Sequence, residues 1–165
     1  MADAPAVPNG LDAIIATFGD LRPYIQDDGT LSSTWEIDQM TRAALPFSIP
    51  LSGNPSAIVT RIECHHLLVD VFVQTFQAIL DGGLQSKITS YGGCFVGRAK
   101  RTSTHWSAHA WGIAIDLNVE TNQQGTQGDM DPGVVAIFRG KGFKWGGEFS
   151  GSSIDPMHFQ YCTGY

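Results

Sequence analysis

Two short segments of the sequence carry the side chains most able to do chemistry together. The first runs Ser107-Ala-His109-Ala-Trp-Gly-Ile-Ala-Ile-Asp116, and the second is Asp155-Pro-Met-His158. Imidazole nitrogen and carboxylate oxygen are ligands that zinc binds at about 2.0–2.2 Å. Two histidines and one carboxylate leave the fourth position of a tetrahedral ion open to water, as in catalytic zinc sites. The residue types therefore predict metal ligands at His109, Asp116 and His158.

The strand predicted around Asp116 gives this carboxylate room for an ion. Apolar residues alternate with small or polar ones over residues 113–118, which is typical of a half-buried strand. The alternation places the isoleucines and Leu117 towards the core and Asp116 on the opposite face. The neighbours of Asp116 on that face are only Gly112 and Ala114.

The second segment is predicted to start another strand. Proline has no N–H to donate and restricts the residue before it, so a strand over residues 157–161 should begin after Pro156. His158 then shares the polar face of this strand with Gln160. Asp155 stands at the mouth of the strand, where it is placed to take a proton from water at the site.

The two motifs together resemble a known enzyme family. Ser-x-His-x-x-Gly-x-Ala-x-Asp followed by Asp-x-x-His is similar to the M15 family of zinc peptidases. That family contains D-alanyl-D-alanine carboxypeptidases and dipeptidases, and the L-alanyl-D-glutamate endopeptidases of phage endolysins. The resemblance runs over residues 91–161, and the tracts 91–98 and 142–148 resemble phage-type members. Residues 1–60 add little to it.

The resemblance implies a role for each site residue. It implies one zinc ion on His109, Asp116 and His158, with Asp155 as general base and acid and Ser107 helping to hold the substrate.

The resemblance also implies an arginine before the first motif. In the family this arginine supports the substrate carbonyl or carboxylate, and Arg98 is its best match, with Arg101 as a rival. The expected activity is hydrolysis of the peptidoglycan stem peptide, with L-alanyl-D-glutamate endopeptidase as the leading hypothesis. D-alanyl-D-alanine carboxypeptidase is the alternative within the class. A non-catalytic, zinc-containing binding domain is the alternative from another class.

The elements that must position these residues follow from hydrophobic periodicity and turn signals. Helices are predicted over residues 11–18, 34–45, 61 or 63 to 80, and 134–138, and strands over residues 88–91, 113–118 and 157–161, with an irregular, proline-rich connection over residues 46–56. Helices first and strands later predict an α+β domain with a small, mainly antiparallel sheet and helices packed on one side. Residues 1–10 are predicted to be a loose lead-in, and residues 11–165 a single domain.

Composition excludes several other classes of protein. Hydrophobic residues make up 42% and charged residues 16% of the 165 residues, which argues against a disordered chain. The balance of 10 basic against 16 acidic residues, a net charge of −6, argues against nucleic acid or anionic lipid as partners. No segment approaches the ~20 apolar residues of a membrane span. We expect a monomer whose partner is its peptide substrate.

The N-terminus and the cysteines bear on the compartment. The first ten residues have neither the basic start nor the apolar run of a signal peptide. We therefore expect the chain to be made in the cytoplasm and to act on the cell wall after release or export. The widely spaced Cys64, Cys94 and Cys162 predict buried free thiols, with one bridge between Cys94 and Cys162 as the alternative.

Overall fold

The computed structural model describes residues 4–98 and 106–165. These residues form four α-helices, several short 3₁₀ turns and one six-stranded sheet. The helices are α1 (Leu11–Phe18), α2 (Ser33–Gln39), α3 (Val69–Asp81) and α4 (Pro132–Gly140). The strands are β1 (Met40–Leu51), β2 (Asn54–His65), β3 (Tyr91–Gly93), β4 (Ala114–Leu117), β5 (Lys144–Trp145) and β6 (His158–Gln160).

The sheet is mostly antiparallel, in the order β2-β1-β3-β4-β6-β5. The exception is the short parallel contact between β1 and β3, where Leu51 pairs with Tyr91. The α+β class and the mainly antiparallel sheet predicted from the sequence are confirmed. The two strands that carry the predicted ligands, β4 and β6, are neighbours near one end of the sheet.

Aromatic side chains from α3, α4 and β6 fill the core beneath these strands. Phe76 of α3 packs edge-on against Phe138 of α4, and the Phe138 ring stacks on Phe159 of β6 with centroids 4.2 Å apart. All three side chains are fully buried. Each such burial contributes about 1.5–3 kcal/mol to folding. The face of β6 that carries Phe159 is thereby fixed against the helices.

The helix predicted to begin at residue 61 or 63 is wrong in its first part. Residues 54–65 form β2, the 3₁₀ turn His66–Leu68 follows, and α3 begins only at Val69. The apolar pair at residues 67 and 68 continues the helical period of α3 backwards, although β2 itself is rich in β-branched residues that favour strands. From Val69 onwards the prediction is confirmed.

The second predicted helix and the irregular connection after it are also corrected. Helix α2 ends at Gln39, and residues 40–65 form a long hairpin of β1 and β2. Prolines in this hairpin are tolerated because β2 is an edge strand and because the register of β1 shifts between Ala44 and Ile49 and again after Pro50. The two longest strands therefore lie in the first half of the chain, between α2 and α3, rather than after all the helices.

The other predicted elements agree better with the structure. Helix α1 has the predicted bounds, α4 contains the predicted residues 134–138, and β4 and β6 lie within their predicted ranges. The strand predicted over residues 88–91 instead begins at Tyr91.

The part of the predicted lead-in that the structure describes is held by hydrogen bonds. Tyr161 Oη donates to the Pro5 carbonyl at 2.8 Å, and Thr163 N donates to the Pro8 carbonyl at 2.9 Å. Gly10 N in turn donates to the Thr163 carbonyl at 2.8 Å. Residues 5–10 are therefore fixed against the end of the chain rather than loose.

The cysteines are buried and free, as predicted, and the alternative bridge between Cys94 and Cys162 does not form. Burial raises the pKa of the Cys64 and Cys162 thiols to about 12. In the described part of the chain, no helix has both the length and the apolar character that a membrane span requires.

Candidate metal centre

Strand register brings the two motifs together. In the antiparallel pair β4–β6, Asp116 lies directly opposite His158, and Ile115 lies opposite Phe159. Side chains directly opposite each other on one face of such a pair lie within contact distance. The sheet thus separates an apolar face, packed on the helices, from a polar face that presents Asp116 and His158 side by side.

His109 reaches the same face from a 3₁₀ turn, Ala108–Trp111, that precedes β4. Ser107 caps the turn, since its Oγ accepts a hydrogen bond from His109 N at 3.3 Å. Gly112 ends the turn with a φ of 65°, a left-handed conformation that glycine adopts without strain.

Gly112 also lies against the strands β1 and β2. A Cβ at this position would lie 2.6 Å from Met40 Sδ and 2.8 Å from His65 N. The motif glycine is therefore required both by conformation and by space, and it brings the turn carrying His109 back over β4.

The three predicted ligands converge on one point. His109 Nε2 lies 3.2 Å from His158 Nδ1 and 3.3 Å from Asp116 Oδ2, and His158 Nδ1 lies 3.1 Å from Asp116 Oδ1. Both histidines are buried, and the Asp116 side chain is 24% exposed. A tetrahedral zinc ion with ligands at about 2.0–2.1 Å separates its ligand atoms by roughly 3.3–3.4 Å. The two histidines each face a different oxygen of Asp116, and one ligand atom from each of the three residues lies within 4.8 Å of the others, so the group could hold one metal ion.

Hydrogen bonds on the outer side of each ring decide which nitrogens face the centre as acceptors. His109 Nδ1 lies 2.7 Å from the Cys94 carbonyl, which can only accept, so Nδ1 carries the hydrogen. His158 Nε2 lies 3.0 Å from Gln160 Oε1 and carries its hydrogen in the same way. In the neutral rings, the two nitrogens at the centre are then lone pairs that face each other and a carboxylate. A metal ion among these acceptors, or a proton on one of the rings, would satisfy them.

The pKa shifts of Asp116 and His109 also indicate that positive charge stabilises the site. Burial acts to raise the pKa of Asp116, but hydrogen bonds from His109 and His158, which the rings make when they are protonated, outweigh it and hold this pKa well below its usual range. Burial acts to lower the pKa of His109, and the Asp116 carboxylate outweighs it, so this pKa is raised. A divalent ion would supply the same positive charge to all three residues.

Asp155 lies beside this triangle and has an unpaired oxygen. Its Oδ1 is buried and has no hydrogen-bond partner in the described part of the chain. Burial raises the pKa of Asp155, Asp116 adds to the rise, and the two histidines oppose it. A buried polar atom without a partner costs about 1–3 kcal/mol. Water held next to the three ligands would give this oxygen its partner.

The loop from Asp155 to His158 is pinned by the tract over residues 142–148. Trp145 Nε1 donates to the Pro156 carbonyl at 2.8 Å, and Asp155 N donates to the Gly146 carbonyl at 2.9 Å. A side chain at Gly146 would collide with the Asp155 carbonyl. This contact is the physical reason for a small residue at Gly146 in a tract that the sequence marked only by resemblance.

The triangle opens into a cleft of about 730 Å³. Arg98, Ser107 and Asp155 all line this cleft together with the three ligands, so the structure brings the predicted site residues to one place. Apolar side chains form much of the remaining wall: Val96, Trp106, Phe149 and Met157. Arg101, the rival of Arg98, lies outside the described residues.

Two contributors to the site were missed from the sequence. Gln160 was placed on the same face as His158, and that shared face was the available signal for its contact. The Cys94 carbonyl that holds His109 is a main-chain group, and no side-chain pattern in the sequence points to it.

Two imidazoles and a carboxylate converge in an open cleft, where they could hold one metal ion beside space for a substrate. Comparison with known families narrows this class. The model of the D-alanyl-D-alanine carboxypeptidase family, a branch of the M15 peptidases, matches residues 100–161. The matched segment contains the three ligands, Ser107 and Asp155, and it begins after Arg98.

The match covers residues 100–161, less than half of the chain, and supports the M15 peptidase assignment that the two motifs predicted. No curated protein matches the chain.

Proposed function

We propose that this protein is a zinc-dependent hydrolase of the peptidoglycan stem peptide, cutting the bond between L-alanine and D-glutamate. The observation that carries the proposal is the convergence of His109, Asp116 and His158, whose ligand atoms all lie within 4.8 Å of one another, inside a cleft of about 730 Å³. The family match supports a peptidase at this site.

The residues of the cleft have separate roles in this proposal. A zinc ion held by His109, Asp116 and His158 would polarise a carbonyl and lower the pKa of its water towards ~7. Asp155 accepts the proton of the attacking water through its unpaired buried oxygen and returns it to the leaving amine. Arg98 donates hydrogen bonds to the negative charge that develops on the carbonyl oxygen, and Ser107 holds the substrate beside the ligands.

Two observations bear on which bond is cut. The tracts over residues 91–98 and 142–148 resemble phage-type members, which supports the L-alanyl-D-glutamate endopeptidase. The description of the matching family favours the second candidate, a D-alanyl-D-alanine carboxypeptidase. Both reactions would use the same ligands and the same base, so the difference between them lies in how the cleft walls hold the peptide.

Digestion of purified sacculi distinguishes the candidates. Wild-type protein with zinc should release new D-glutamate amino ends, identified by mass spectrometry, and a chelator should stop the release. Released D-alanine without new amino ends would instead establish the carboxypeptidase. If zinc binds and no wall peptide is cut, the non-catalytic binding domain is the correct interpretation.

We also propose that the chain is made in the cytoplasm as a monomer and reaches the wall after release or export. The net charge of −6 supports a small-peptide substrate rather than nucleic acid or anionic lipid. Fractionation of producing cells before and after lysis would test the first part, and sedimentation velocity would test the second.

A further inference from the structure

Gln160 contacts the ring of His158 on the side away from the metal centre. Its side chain is buried, with 5% of the residue exposed, and its Oε1 lies 3.0 Å from His158 Nε2. The other ring nitrogen, Nδ1, is the one that faces Asp116 and His109. Gln160 therefore acts on the opposite end of the same ring that ligates.

The other end of the amide is held by main-chain carbonyls. Gln160 Nε2 donates to the Tyr165 carbonyl at 3.3 Å and, at 3.5 Å, to the Cys162 carbonyl. Carbonyl oxygens only accept, so they require the NH₂ group on their side and turn Oε1 towards His158. An amide oxygen also only accepts, so His158 must carry its hydrogen on Nε2.

We infer that Gln160 is a positioning residue that fixes the tautomer and the orientation of His158, so that Nδ1 is kept as a lone pair for the ion. The inference rests on the proposed metal centre. Without the Oε1 acceptor, a neutral ring is free to carry its hydrogen on Nδ1, where it blocks ligation. Partners on the outer side of ligating histidines typically change metal affinity by about 10–100-fold.

The two histidines of the site differ in the kind of group that holds the outer ring nitrogen. The Nδ1 of His109 is held by the Cys94 carbonyl, which no substitution of a side chain removes. His158 depends on the side chain of Gln160, which the residues 162–165 orient in turn. A substitution of Gln160 can therefore change the zinc affinity of the centre, whereas no side-chain substitution removes the partner of His109 Nδ1.

The test is a zinc titration against a competing chelator. Gln160→Met, similar in volume but without an acceptor, should bind zinc 10–100-fold more weakly than wild type. Gln160→Asn, which withdraws the acceptor by one methylene, should also weaken binding and serves if the Met variant does not fold. Gln160→Glu keeps an acceptor beside Nε2 but turns its second oxygen towards the Tyr165 and Cys162 carbonyls, so it should bind zinc more tightly than Gln160→Met and less tightly than wild type.

A matched control separates positioning from general stability. Thr75→Val removes another buried, hydrogen-bonded polar group, the Oγ1 that donates to the Val71 carbonyl in α3. This variant should lose thermal stability without losing zinc affinity. An equal loss of affinity in Thr75→Val, or no loss in Gln160→Met, would overturn the inference.

A second readout does not depend on turnover. In the zinc-loaded wild-type protein, ¹H–¹⁵N NMR should show a proton on His158 Nε2 that exchanges slowly with water, and in Gln160→Met this proton should exchange quickly. Equal exchange in the two proteins would contradict the role of Gln160. Failure of the wild-type protein to bind zinc at all would overturn the metal centre itself, which distinguishes the two failures.

Discussion

At the scale of single residues, the site is defined by ring nitrogens that carry no hydrogen when the histidines are neutral. The outer hydrogen bonds of His109 and His158 leave two lone pairs and the Asp116 carboxylate facing one another within 3.3 Å. The convergence of His109, Asp116 and His158 could be predicted from the sequence because the types and spacings of these residues are distinctive. The outer partners could not, because one of them is a main-chain carbonyl and the other is an ordinary polar residue on a strand.

The first prediction concerns the ligands. His158→Ala should reduce zinc content from about one per chain to near zero and abolish peptidase activity, because two ligands do not hold a catalytic zinc ion. Metal analysis after dialysis is the measurement. His66→Ala, a change at an exposed histidine that contacts the Gln39 carbonyl and the ring of His65, should leave zinc content unchanged.

The second prediction separates the base from the ligands. Asp155→Asn should keep zinc at the wild-type level and reduce activity by about 10²–10⁴-fold, because an amide cannot take the proton of the attacking water. Zinc content and the rate of sacculus digestion are measured on the same preparation. Loss of zinc from this variant would show that Asp155 is a ligand rather than a base.

At the scale of elements, alternation of side chains located the strands of the site, whereas helical period located α1 and α3 but extended the predicted α3 wrongly into β2. Strands β4 and β6 were predicted because each shows an apolar face and a polar face. Strands β1 and β2 were missed because their prolines lie on an edge strand and at irregularities of register, where the ladder does not need every N–H. The α+β class was therefore right, although the order of elements used to infer it was wrong.

The turn between His109 and β4 gives the third prediction. Gly112→Ala should destabilise the protein by about 2–4 kcal/mol, because the residue has a positive φ and its Cβ would collide with Met40 and the backbone of β2. Chemical denaturation measures the loss, and zinc affinity should fall with it as the turn shifts.

Gly53 provides the matched control for this change. It has a φ of 72°, but a Cβ there would meet nothing within 4 Å. Gly53→Ala should therefore cost only about 1–2 kcal/mol and leave zinc affinity unchanged. Equal effects of the two substitutions would show that the close approach at Gly112 is unimportant.

At the scale of the whole molecule, stability depends on a buried histidine that joins α1 to the hairpin. His65 Nε2 donates to the Phe18 carbonyl at 3.1 Å, and its Nδ1 accepts from Leu67 N at 3.2 Å. Burial, together with the neighbouring His66, whose ring stacks on that of His65, lowers the pKa of His65 to about 4. Both nitrogens of the neutral ring have a hydrogen-bond partner, whereas a protonated ring would lose the hydrogen bond from Leu67 N.

The fourth prediction follows from this shift in pKa. In the unfolded chain His65 binds a proton as the pH falls below 6.5, whereas in the folded chain it does so only near pH 4. The free energy of unfolding therefore falls as the pH is lowered from 6.5 to about 4. The full loss is about 3 kcal/mol. His65→Gln, which does not titrate, should flatten the curve of unfolding free energy between pH 6.5 and 4 relative to wild type. Parallel curves for the two proteins would contradict the prediction.

The hydrogen bonds between residues 5–10 and 161–163 set the two ends of the described fold beside each other. A fold whose ends meet is tolerant of rearranged connectivity, provided that the new opening falls at an exposed turn. The hairpin tip at Ser52 and Gly53 is such a place, since it lies at the far end of β1 and β2 from His65. A circular permutant opened at that tip, with the original ends joined by a short linker, would keep the strands around the metal centre contiguous.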